Sequence, residues 1–173
     1  MSLLYRLVLA LNSTSWMIVV YGIKSEWDFL AKNRIITSAI LLCIPIVLSI
    51  LSIILSKWFK YSGDQITTGR SIVLADNEFL PVYLGYFFVA LSVPSVYSLA
   101  FVYFIVFVFT FLGQAQYFNP IFLLFGYHYY HVETLNGTRV FVISNGRIIR
   151  SVEDMDFGNL RRINDTTFIL GKE

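Results

Sequence analysis

Two histidines, His128 and His131, are the only imidazoles in the chain, and Glu133 follows two residues beyond. On a helix, an offset of three puts both rings on one face, where they could hold a divalent metal; on a strand it sends them to opposite faces. The surrounding Tyr and Val residues favour a strand, so the pair reads as a polar boundary beside Tyr127, Tyr129 and Tyr130 and not as ligands. The one cysteine, Cys43, lies in an apolar run, which leaves no disulfide framework and no thiolate metal site. Thr67-Thr68-Gly69-Arg70 lacks the flanking glycines and the lysine of a phosphate cradle, and neither a carboxylate pair, a nucleophile elbow nor a zinc-helix motif is found. The expectation is a protein that is not an enzyme, with no catalytic residue, cofactor or metal.

Other polar residues sit where chemistry is not the first explanation. Asn12, Ser13, Thr14 and Ser15 interrupt an apolar segment and point around a whole helix, so at least Asn12 faces other protein. Interhelical hydrogen bonding is the plainer account and a polar pathway lining the sharper one. Ser38, Pro45, Ser49, Ser52 and Ser56 recur at helical steps and form a seam of small residues on one face. Such a seam lets another backbone approach closely; it could equally line an axis in an oligomer. Arg147, Arg150, Arg161 and Arg162 near the carboxyl end could dock an acidic partner or lipid headgroups. Acidic residues balance the cations of that tail, so a solvated surface is the plainer reading.

The elements that carry these residues follow from hydropathy. Hydrophobic residues make up 57% of the chain and charged ones 14%, and the apolar excess is gathered in blocks. Between residues 79 and 132 there is no Asp, Glu, Lys or Arg, enough chain for two crossings of about 20 residues each. Pro94 marks the break of a tight hairpin within it, or else kinks a helix whose turn lies a few residues later. The expected fold class is an all-α membrane bundle of four transmembrane helices with a small C-terminal β-meander on the cytoplasmic side. The spans are 3–23, 35–56, 79–93 and 95–113, joined by a cytoplasmic connection at 57–78, and residues 119–173 form the β-rich tail domain. Arg6 before residues 7–11 gives the start a superficial likeness to a signal peptide. Its apolar core is too short and lacks a small-x-small site, so it reads as a retained helix. Trp27, and the cation–aromatic run at 57–61, have the composition of a headgroup boundary.

No span carries a convincing buried charge, which weighs against ion-coupled transport. With four spans, Lys24, Lys32 and Arg34 fall on one side and the other ten of the 13 Lys and Arg on the opposite side, which puts both termini in the cytoplasm.

Gln114, Gln116 and Asn119-Pro120 read as the end of the fourth helix. Beyond it, Asn-Gly pairs at 136–137 and 145–146 predict type I′ turns in a three-stranded meander at 127–135, 138–144 and 147–152, with a fourth strand at 167–170. Residues 72–75 are compatible with a short strand or an interfacial patch. Val140 and Val142 on one face, and Phe141 and Ile143 on the other, make both faces apolar, so the sheet needs cover from the bilayer, the 57–78 connection or another chain.

This order of features, with the stretch NPIFLLFGYHYYHVET leading into a hairpin-rich tail, resembles the membrane subunit of the Kiwa antiphage defence system, the KwaA family. The resemblance covers nearly the whole chain and rests on architecture and the NP…GY…Y…ET stretch. It implies a homo-oligomer, a tetramer, in the bacterial inner membrane that acts with a cytoplasmic DNA-binding partner, KwaB, and signals to it on phage infection. It implies no catalytic residues and no direct contact with nucleic acid. Two readings stand beside each other: a non-enzymatic sensor and scaffold, and an oligomeric pore or ion channel lined near Asn12 and Ser49.

Overall fold

The computed structural model describes residues 3–26, 33–58, 65–113, 117–146 and 148–170. Trp27, Lys32, the 59–64 stretch, Gln114, Gln116, Arg147 and Lys172 lie outside them. Among the described residues are five helices and one five-stranded sheet: α1 (Leu3–Lys24), α2 (Arg34–Lys57), β1 (Ser71–Leu74), α3 (Phe79–Ser92), α4 (Val96–Leu112), α5 (Pro120–Leu124), β2 (Tyr127–Glu133), β3 (Arg139–Asn145), β4 (Leu160–Arg162) and β5 (Thr167–Leu170).

The four-span bundle is corrected by helix length. α1, with 22 residues, and α2, with 24, are long and apolar enough to cross a membrane. α3 has 14 residues and α4 has 17. At 1.5 Å per residue α3 extends about 21 Å, well short of a hydrocarbon core of about 30 Å. The uncharged run at 79–132 therefore divides differently: two short helices, then α5 and β2. A charge-free stretch bounds the number of crossings from above, and here part of it is sheet core.

α1 is the hub of the helices and packs against α2, α3 and α4. Its Tyr5, Leu9, Ala10, Met17 and Tyr21 are buried. α2 buries only Thr37, Leu41, Pro45, Ser49, Ser52 and Ser56 against it. The opposite face, including Ile40, Val47, Ile50 and Ile54, is exposed and apolar. Small residues on the buried side let the two helix backbones close up, as in lipid-embedded helix pairs. α3 and α4 form a hairpin with Pro94 in its turn, and Lys24 Nζ donates to Leu91 O at 2.7 Å and Val93 O at 2.8 Å. A cation there satisfies carbonyls left open at the end of α3.

The predicted meander is also corrected. The sheet has order β1-β2-β3-β5-β4, with β1–β2, β2–β3 and β4–β5 antiparallel and β3–β5 parallel. The first Asn-Gly does close a hairpin, but Asn136 keeps an ordinary φ and only Gly137 is left-handed, at φ 78°. Gly137 N bonds Thr134 O and Thr134 N bonds Thr138 O, both at 2.9 Å. That is a wider turn ending in a left-handed glycine, not the two-residue type I′ turn, which needs positive φ at both central residues.

The second Asn-Gly closes no hairpin. The chain leaves the sheet after Asn145, and residues 148–152 form no strand. Instead Ile149, Val152, Met155 and Phe157 lie over one face, against Tyr130, Val132, Val140, Val142 and Phe168. The other face, with Tyr129, Phe141, Ile143 and Ile169, packs on Tyr5 and Leu9 of α1, and on Phe118 and Phe122. Both apolar faces of β3 thus find cover within the chain, so their composition is not by itself a sign of a partner. Asn119-Pro120 likewise starts a helix. Asn119 Oδ1 accepts from Ile121 N at 2.9 Å, with proline at the first turn of α5, the pairing expected of an N-cap followed by a residue whose missing N–H costs nothing there.

Candidate functional site

Where α1, α2, α3 and the sheet converge, a chain of buried polar groups joins them. It begins at Asn12, 1% exposed in the middle of α1. Asn12 Nδ2 donates to Ser52 Oγ at 3.4 Å, and its Oδ1 lies 3.2 Å from Ser49 Oγ. Ser49 Oγ is also 2.6 Å from Pro45 O and accepts from Asn119 Nδ2 at 2.8 Å. The single hydroxyl proton serves the acceptors on one side while a lone pair takes the Asn119 amide.

Asn119 is the node. Its side chain ties α2 to the start of α5, and its backbone is clasped by Tyr129 of β2. Tyr129 OH accepts from Asn119 N at 2.9 Å and donates to Asn119 O at 3.0 Å. One residue earlier, Phe118 O accepts from Tyr83 OH of α3 at 2.9 Å, while the Phe118 ring stands edge-on to Tyr129 and Phe141 at 5.1 Å each. Burial pushes the Tyr129 phenol well above its ordinary range, against a weaker opposite pull from the Asn119 backbone. Tyr129 therefore remains a neutral donor and acceptor at any pH a cell experiences. Buried polar groups of this kind are costly unless paired, and when paired they fix one arrangement of the elements they join.

A second set of ties fixes the turn between β1 and α3. Asp76 Oδ2 is 2.6 Å from His128 Nδ1, Asp76 Oδ1 accepts from Tyr129 N at 2.8 Å, and Glu78 Oε2 is 2.9 Å from His131 Nε2. Each imidazole thus faces one carboxylate, and among the described residues no three His, Cys, Asp or Glu gather as a metal site would require.

The residues singled out in the sequence separate into groups. Asn12, Ser49 and Ser52 meet in the junction. Ser38 is half-buried beside the fully buried Thr37, and Ser56 is buried at the end of the seam. The arginines diverge. Arg161, 8% exposed, turns inward and donates through Nη1 to Ser56 O. Arg162 points outward and pairs with Asp165 Oδ1 at 3.0 Å, as neighbours on a strand must face opposite ways. Arg150 is exposed on the loop after β3, and Arg147 lies outside the described residues. Sequence reasoning missed Asn119, Tyr129 and Tyr83 as a unit. An Asn before Pro and an apolar run was the available signal for the cap, whereas nothing local announced a partner on α2.

The family model described as anti-phage protein KwaA matches residues 5–169. No curated protein and no solved structure matches the chain. The matched region takes in nearly all of α1, the Asn119 junction, the first four strands and β5 through Ile169, and the chain belongs to the KwaA family of anti-phage proteins.

Proposed function

We propose that this anti-phage protein is a non-enzymatic sensor and scaffold of the bacterial inner membrane. In this reading α1 and α2 cross the bilayer and the sheet lies in the cytoplasm. The chain assembles as a homo-oligomer, a tetramer in line with the family resemblance. A disturbance of the membrane changes the packing of α2 on α1, and the sheet passes that change to a docked cytoplasmic DNA-binding partner. The observation that carries the reading is the Asn119 junction. Its side chain bonds Ser49 on α2 and its backbone bonds Tyr129 on β2, so a shift of α2 cannot leave the sheet undisturbed. The cation distribution supports the orientation. With two crossings, Arg6, Lys57, Lys60, Arg70 and the tail share a side, against Lys24, Lys32 and Arg34. Exposed Arg150 and Arg162 are the proposed docking cations, together with Arg147, which lies outside the described residues. Arg161 serves instead as a tie to α2.

The pore reading has less support, because Asn12, Ser49 and Ser52 satisfy one another within one chain.

The test uses cells carrying the complete defence system. Ser49→Ala and Asn119→Ala, at wild-type abundance in the membrane, are expected to lose phage protection while the chain still co-purifies with a soluble DNA-binding protein. Full protection by both variants, or discrete ion conductance from the reconstituted oligomer, overturns the proposal.

A further inference from the structure

The outer end of α2 and the near end of the sheet enclose a groove of about 540 Å³. α2 contributes Ile50, Ile53 and Ile54, and its last turn adds Lys57; Asn145 comes from the end of β3 and Arg161 from β4. Among the described residues, the charged side chains lining it are these two cations, and no Asp or Glu lines it. The arrangement is graded. Lys57 lies at the end of α2, and Arg161, bonded to Ser56 O, lies at the same level. Ile50 is seven residues back, roughly 10 Å along the helix axis. Ile50 and Ile54 are 41% and 46% exposed, part of the apolar outer face of α2.

We propose that this groove is a binding site for an anionic phospholipid of the surrounding bilayer. The phosphate sits between Lys57 and Arg161 and the upper acyl chain runs down the three isoleucines. The inference rests on the reading of α2 as a membrane-crossing helix. Given that reading, the cations fall at headgroup depth and the isoleucines below them in hydrocarbon, which is the polarity of a phospholipid from phosphate to tail. A soluble phosphate would use the cations and gain nothing from the isoleucines. A neutral lipid would use the isoleucines and gain nothing from the cations. Because Arg161 also bonds the last turn of α2, the bound headgroup would stabilise the contact between α2 and β4.

The test is thermal denaturation of the full chain in a neutral detergent, with phosphatidylglycerol, phosphatidylcholine or inorganic phosphate added at matched concentrations. Phosphatidylglycerol is expected to raise Tm in a saturable way and the other two are not. Lys57→Gln, which keeps the apolar stem, is expected to weaken the response about fivefold, the effect of one basic side chain at a lipid surface. Ile54→Glu is expected to abolish it, and Arg34→Gln, at the other end of α2, to leave it intact. An equal response to phosphatidylcholine or to inorganic phosphate overturns the proposal, as does an equal response of the Lys57 and Arg34 variants. If the chain instead leaves membranes in buffer without detergent, the membrane reading itself fails, an outcome separate from loss of lipid selectivity in a protein that stays with the membrane.

Discussion

Asn119 does three things with one side chain and one peptide unit. It caps α5, bonds Ser49 and receives the Tyr129 hydroxyl. Asn119→Ala removes the cap, worth about 1 kcal/mol, and leaves buried groups unpaired at about 1–3 kcal/mol more. Thermal denaturation followed by circular dichroism is expected to show a loss of about 2–4 kcal/mol; a loss under about 1 kcal/mol would mean the node is not structural. Tyr129 carries a second, pH-dependent consequence. Its folded-state value lies well above the ordinary 10.0 because of burial, and burial likewise raises Tyr127 and Tyr130. A raised phenol stabilises the fold fully below the unfolded value and progressively less as pH rises past it. Stability should therefore hold up to about pH 10 and then fall, with a shallower fall in Tyr129→Phe. An unchanged alkaline slope in that variant would contradict the account. The sequence made Asn12 and the serine seam legible because helical spacing is local information. Asn119 escaped notice because its partner Ser49 is 70 residues away and the polar character of an Asn before Pro has a sufficient local explanation.

At the scale of elements, the lead-in to β1 depends on Gly69. A Cβ there would meet Glu133 O at 2.9 Å and the Met155 methyl at 3.0 Å, while the next amide, Arg70 N, bonds Glu133 O at 2.7 Å. Gly69→Ala is expected to cost about 1–3 kcal/mol by pushing this segment off β2. Proteolysis at the β1 edge should rise with it, and wild-type resistance would contradict the close approach. Helices were legible from the sequence because apolar blocks and Pro94 are local signals. β2, β3 and β5 were visible as β-branched runs between turns. The parallel pairing of β5 with β3 was not, since register across a long connection leaves no trace in either strand alone. Gly146 misled for a related reason: an Asn-Gly pair permits a hairpin turn but does not require one.

For the whole molecule, hydropathy fixed an apolar protein with a sheet at its carboxyl end, while the number of crossings depended on helix lengths that composition does not reveal. α1 belongs to both halves: it is the hub of the helices, and its Tyr5 and Leu9 lie in the sheet core. That sharing joins the helices to the sheet without a flexible linker. Alkaline washing of membranes is expected to leave the protein in the pellet and detergent to release it; release by buffer alone would remove the membrane from the account. The coupling itself is tested most directly by hydrogen exchange along β2 in nanodisc-reconstituted protein, comparing wild type with Ser49→Ala. Losing one bond on α2 is predicted to speed exchange at residues 127–133 by roughly 5- to 30-fold, the equivalent of one or two kcal/mol. Unchanged exchange in β2, with faster exchange confined to α2, would contradict the claim that the helices and the sheet move as one.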